Sequence, residues 1–159
     1  MDSKVDDAHA LSMYFAYGSN LSQAQMGVRC PMAKGLGVAV LEGHRLSFTA
    51  FSRGWDGGVA DVVEAVGDEV WGFLYEITPE DLSALDRYEG YPNYYNRRLL
   101  PVVPKVNHSA VEAWVYFVVN KQDHHVPPAA KYLKKMVECA KKFGFPQEYV
   151  TDLESTPIR

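Results

Sequence analysis

With 159 residues, 47% of them hydrophobic and 23% charged, the chain has the balance of one folded domain and lacks the polar excess of a disordered segment. A formal net charge of −4 leaves no overall positive field for a nucleic-acid backbone or an anionic membrane surface, so neither is expected as a partner. Two widely spaced cysteines, Cys30 and Cys139, exclude a disulfide framework and a Cys-x-x-Cys metal site, and they fit a reduced, cytoplasmic compartment.

Residues 1–12 mix Asp2, Asp6 and Asp7 with Lys4 and hold no long apolar stretch, so they read as a flexible leader ahead of a single domain at 13–159. Met13 to Ala16 is a short apolar, aromatic run that predicts a strand. It feeds directly into the turn Tyr17-Gly18-Ser19-Asn20. Ser22-Gln23-Ala24-Gln25 then has capping-box form, with Ser22 accepting from an N3 amide and Gln25 reaching back. Strand composition follows at 37–51 and 59–65, separated by the turn signal Trp55-Asp56-Gly57-Gly58, and again at 70–77.

Thr78-Pro79-Glu80-Asp81 supplies an N-cap, a first-turn proline and acidic residues, which predicts a helix that ends near Tyr88, before Gly90. Two further strands are predicted around 97–103 and 112–119. Pro127-Pro128 opens a last long helix whose stripe, Ala129, Leu133, Met136, Val137, Ala140 and Phe143, steps by three and four until Gly144. The lysines of this segment, Lys131, Lys134, Lys135, Lys141 and Lys142, read as its solvated face. Several strands with about three helices, and no strict βαβ alternation, predict an α+β fold built on a mixed sheet or partial barrel.

Two features could carry chemistry. The Gly18-Ser19-Asn20 turn stands between a strand and a helix start, where free backbone amides and two polar side chains could cradle an anion; the same residues also suit an ordinary turn. Glu89 lies four residues beyond Leu85 and seven beyond Leu82, which turns its carboxylate either with the apolar stripe or, by curling at the helix end, out to water. In the first case lost hydration raises its pKa and suits it to proton transfer near neutral pH. His124-His125 suggests a loop and not a metal site, because adjacent residues rarely point at one centre. A Ser-His-Asp set could be drawn from Ser19, a histidine and Asp61 or Asp86, but sequence order does not supply its geometry.

Taken together, Tyr14 through Leu21, Trp55-Asp56-Gly57-Gly58, Gly67 through Gly72 and Leu85 through Gly90 resemble γ-glutamylcyclotransferases in order and spacing. Pro127-Pro128 before Tyr132, and Pro146 through Tyr149, extend the resemblance from Met13 to about Leu153. It implies a small mixed β-barrel with flanking helices, no metal or other cofactor, and a homodimer as an option. It further implies a small-molecule γ-glutamyl substrate, with Glu89 as the catalytic carboxylate and a pocket lined by Tyr14, Phe15, Ala16, Tyr17, Gly18, Ser19, Asn20, Leu21, Tyr95 and Tyr132. Tyr94 competes with Tyr95 for its place, because the stretch after Glu89 is shorter than in the animal enzymes. The activity so implied is cyclisation of a γ-glutamyl group to 5-oxoproline, with a serine hydrolase using Ser19 or a non-catalytic binding module as alternatives. Glutathione-specific relatives carry a different turn after Tyr-Gly-Ser, so glutathione is expected to be a poor substrate.

Overall fold

A computed structural model describes residues 10–159. Of the leader expected at 1–12, residues 1–9 lie outside those described, and Ser12 already belongs to the first strand. Strand β1 (Ser12–Ala16) leads through a short 3-10 turn (Ser19–Leu21) to helix α1 (Gln23–Arg29). There follow β2 (Lys34–Ser52), β3 (Gly57–Ile77), α2 (Pro79–Glu89), β4 (Tyr95–Pro104), β5 (Val111–Val118), α3 (Ala130–Lys142) and α4 (Gln147–Glu154). The fold is α+β, and its strands close into a barrel in the order β1-β3-β2-β4-β5. Every pairing is antiparallel except β1 with β5, which meet in parallel at Tyr14 and Trp114.

Closure brings the chain's first and last strands side by side, and this puts residues of distant sequence around one core. Phe15, Leu41, Val70, Ile77, Leu85, Val102, Val115 and Met136 are all sealed from solvent there. Helix α3 covers the core with Leu133, Met136 and Ala140 of the predicted stripe, joined by Tyr132, which lies outside that stripe, and α4 adds Val150 and Leu153.

Two expectations change. The strands expected at 59–65 and 70–77 are one strand, β3, because the ladder to β2 passes from His44–Glu64 to Glu42–Glu69 and residues 65–68 bulge out opposite Gly43. The irregularity reads in sequence as a turn, since Gly67 adopts φ 87°. Pro127 and Pro128 precede α3 instead of forming its first turn. They belong to a strap that crosses the β2–β3 turn, where the Gly58 amide donates to Pro127 O at 2.8 Å. A Cβ at Gly58 would fall 1.8 Å from Val126 O, so the close approach requires glycine.

The helix expected from Thr78 forms with its full capping box, Thr78 Oγ1 accepting from the Asp81 amide at 3.1 Å and Asp81 returning the bond at 3.1 Å. It runs through Glu89 and stops at Gly90, whose left-handed φ of 65° ends it.

Candidate active site

A cavity of about 550 Å³ opens where the 3-10 turn, the end of α2, the β2–β3 turn and α3 meet. Tyr14, Tyr17, Gly18, Ser19, Asn20, Glu89, Tyr95 and Tyr132, all expected at the site, line it. Phe15, Ala16 and Leu21 do not, because they point into the core: the Phe15 ring packs on Gly72, where an added Cβ would come within 2.6 Å of it. Tyr94 and Tyr95 both reach the wall, by different routes. Tyr95 is buried and donates to Ala60 O at 2.6 Å, whereas Tyr94 stands at the mouth and donates to Phe51 O at 2.6 Å.

The turn is arranged differently from the helix-end cradle expected. Ser19 to Leu21 close 3-10 bonds of their own, and α1 begins only at Gln23, beyond the pocket. Ser22 does accept from the Gln25 amide at 3.2 Å, but the Gln25 side chain does not complete a capping box. It reaches forward instead, donating to Ser19 Oγ at 2.8 Å and Asn20 Oδ1 at 2.8 Å. Gly18 leaves room for its neighbours, since a Cβ there would crowd the Tyr132 hydroxyl at 3.0 Å and Ala60 Cβ at 3.2 Å.

Counting hydrogens shows which hydroxyls remain to meet a ligand. Tyr17 and Tyr95 spend theirs on the carbonyls of Tyr116 and Ala60, each at 2.6 Å. Tyr132 accepts from the Ala60 amide at 3.0 Å, with the Ser19 amide also aimed at its oxygen. Tyr14 accepts from Asn20 Nδ2 at 2.9 Å, and Ser19 accepts from Gln25. The hydrogens of Tyr132, Tyr14 and Ser19 are thus left to donate. Burial pushes the pKa of Tyr14, Tyr17, Tyr95 and Tyr132 above that of free tyrosine, so all four stay neutral.

Glu89 projects into this ring of hydroxyls from the last position of α2. Its polar contact is a long one, from Asn20 Nδ2 to Oε1 at 3.5 Å. Burial raises its pKa to about 7, and the positive charge of Arg29 opposes the rise. Arg29 also lies over the Tyr88 ring at 4.5 Å and donates to Asn20 Oδ1 at 3.1 Å.

Several wall residues were not foreseen in sequence. Arg29 comes from the far end of α1, Tyr116 from mid-β5, and Trp55 packs edge-on against Tyr132 with ring centroids 4.9 Å apart. Trp55 sits in a turn signal that reads equally well as plain turn, and Tyr116 lies in an apolar strand; only three-dimensional closure selects them.

Among the described residues no Ser-His-Asp arrangement forms. Among the described residues no histidine lines the cavity, Asp61 is tied to Thr49 and Lys121, and Asp86 pairs with Arg97 at 2.8 Å. His124 contacts Asp123 and His125 contacts Pro157 O, both on the exterior. Among the described residues no group of three or more His, Cys, Asp or Glu side chains is placed to hold a metal ion, and no helix is long and apolar enough to cross a membrane.

Comparison with known proteins gives a consistent picture. The family model described as "Gamma-glutamyl cyclotransferase, AIG2-like" matches residues 14–134. The chain is 34% identical over 147 residues to γ-glutamylcyclotransferase of Bos taurus, covering 90% of this chain and 77% of that protein. It is 31% identical to the Homo sapiens protein of the same name over the same shares. A solved structure titled "Gamma-glutamyl cyclotransferase" superposes with a TM-score of 0.86 at 30% identity, covering 94% of this chain and 90% of the other.

Proposed function

The chain belongs to the AIG2-like γ-glutamyl cyclotransferase family, and from that premise we propose that its pocket closes a γ-glutamyl group onto itself, forming 5-oxoproline and releasing the amine. The observation that carries this reading is Glu89. It is a carboxylate held among neutral hydroxyls with its pKa raised to about 7, the value that lets one group both take and return a proton at neutral pH.

The substrate supplies its own nucleophile. Its α-amine nitrogen attacks the γ-carbonyl carbon, a new C–N bond closes a five-membered ring, and the carbonyl π electrons move onto oxygen. Glu89 takes a proton from the attacking nitrogen and delivers it to the departing nitrogen as the original amide C–N bond breaks and the carbonyl re-forms. Holding the glutamyl chain folded in attack geometry is worth up to ~7–11 kcal/mol in favourable intramolecular cases. Proton transfer by Glu89 adds about 10²–10⁴-fold.

The hydroxyls of Tyr132, Ser19 and Tyr14 are the donors for the α-carboxylate and for the oxyanion. Ser19 serves as a donor and not as a nucleophile, since its oxygen already accepts from Gln25 and no histidine among the described residues stands by to take its proton. The free thiols Cys30 and Cys139 support a reduced, cytoplasmic setting for the enzyme.

Product identity tests the reading. With a panel of γ-glutamyl amino acids, γ-glutamyl amines and glutathione, the retained acid should be 5-oxoproline, with glutathione turned over more slowly than the best dipeptide. An N-acetylated γ-glutamyl amide, whose nitrogen lone pair is tied up, should not react. Glutamate as the main initial product from the free-amine substrates would refute ring closure.

A further inference from the structure

Gln25 does not line the cavity, yet its side chain donates to two residues that do, Ser19 and Asn20, and accepts from Lys135, which lies outside it. We propose that Gln25, oriented by Lys135, is a positioning residue that sets the hydrogen-bonding polarity at Glu89 through the Asn20 amide. The proposal rests on the ring-closure reading of this pocket.

The two ends of a carboxamide are nearly the same size, so the neighbours decide which end faces where. Lys135 Nζ has no acceptor and lies 2.9 Å from Gln25 Oε1, which turns Gln25 Nε2 toward the 3-10 turn. There Nε2 donates to Ser19 Oγ and to Asn20 Oδ1, each at 2.8 Å. Arg29, a second donor-only group, meets the same Asn20 oxygen at 3.1 Å. Both demands leave Asn20 Nδ2 facing Tyr14 Oη at 2.9 Å and Glu89 Oε1 at 3.5 Å. The last distance is at the outer limit of a hydrogen bond, and the N–H dipole there still favours the ionised carboxylate. With the amide reversed, a carbonyl oxygen would face Glu89 and disfavour its charge.

The other groups that face Glu89 make no hydrogen bond with Gln25 itself, although Arg29 and Tyr14 share Asn20 with it. Arg29 comes from α1, while Tyr14 and Tyr17 come from β1 and the residue after it. Tyr95 comes from the start of β4 and Tyr94 from the residue before it, Tyr116 from β5 and Tyr132 from α3. Arg53 and Arg87 line the same cavity.

Gln25→Glu reverses the demand. A carboxylate beside Lys135 presents only acceptors to the turn, so it draws Asn20, against the remaining hold of Arg29 on Oδ1, to offer it Nδ2 and to give Glu89 its oxygen. The acid limb of the kcat/KM profile, which reports the free enzyme, should move up by about one pH unit. Carbon-13 NMR titration of the Glu89 carboxyl should show the same shift without substrate, so the relay can be judged even if no γ-glutamyl compound is turned over. That second outcome would defeat the functional reading and leave this one standing.

Lys135→Glu acts one residue further out and should shift Glu89 in the same direction by less, which serves if Gln25→Glu does not fold. Lys134→Glu, on an exposed neighbour that contacts Glu138, changes net charge equally and should leave Glu89 unmoved. A folded Gln25→Glu protein with the wild-type Glu89 pKa, or a shift in Lys134→Glu equal to that in Lys135→Glu, would overturn the relay.

Discussion

Asp61 in the barrel and Glu89 at the end of α2 are two carboxylates whose surroundings are opposite in kind. Asp61 is fully buried and saturated: Thr49 Oγ1 and the amides of Val62 and Val118 donate to it at 2.8–3.0 Å, and Lys121 completes the set. Glu89 has one long contact from Asn20 and a cation, Arg29, that it does not pair with directly. A carboxylate that is sealed and satisfied holds strands together, whereas one that is desolvated and left nearly unpaired keeps a labile proton. The difference lies in the donors, not in the acid.

Removing either group should break the comparison in a characteristic way. Asp61→Ala leaves a buried hydroxyl and two buried amides without their acceptor, and should destabilise the fold by about 2–4 kcal/mol, while the partly exposed Lys121 can turn to water. Chemical denaturation measures this, and molecules that remain folded should retain their turnover. A loss below about 1 kcal/mol would mean that Asp61 is not the strand clamp its contacts describe.

Glu89→Gln should do the reverse. Turnover should fall by about 10²-fold or more, because the amide cannot accept the proton. The fold should become more stable above pH 7. The sign follows from linkage: the Glu89 pKa rises from 4.5 to about 7 on folding, so its favourable contribution is complete below 4.5 and is lost as pH rises through 7. The variant should therefore gain about 1–3 kcal/mol over wild type at pH 8, and little at pH 4. Thermal melts across that range that ran parallel would show that Glu89 is not desolvated.

The smallest expected effect sharpens the contrast within the pocket. Ser19→Ala removes one donor hydrogen and should cost roughly tenfold in kcat/KM, in line with about 1–2 kcal/mol for a hydrogen bond to a charged or developing charge. Mass spectrometry during turnover should find no covalent glutamyl adduct, and an adduct on Ser19 would restore the nucleophile reading.

Much of this was legible in the sequence because it is local. The step from Leu82 through Leu85 to Glu89 places the carboxylate inward, and the Thr78 capping box fixes where that helix starts. What escaped is non-local. Gln25 satisfies the pattern of a capping box but finds better acceptors in Ser19 and Asn20, which only the folded turn presents. Lys135 reads as part of a solvated lysine face, and the other lysines of α3 are indeed exposed, yet it turns in to meet Gln25 from 110 residues away. Phe15, Ala16 and Leu21 were carried along by a contiguous motif, whereas the pocket selects only the members whose side chains turn toward it. Helix α4 follows a proline and spans only Gln147–Glu154, too short for periodicity to declare it.

Glu89 is the final residue of α2, with Gly90 bending the chain away in a left-handed conformation. The peptide dipoles of that helix add up to a partial negative charge of about half an electron at this end, where the last carbonyls have no partner within the helix. A carboxylate placed there meets repulsion from the backbone itself, in addition to the loss of water. The helix end thus acts in the same direction as burial, the main cause of the raised pKa, and any substitution at Gly90 that lengthened α2 by a turn should lower the Glu89 pKa by moving the acid away from that pole.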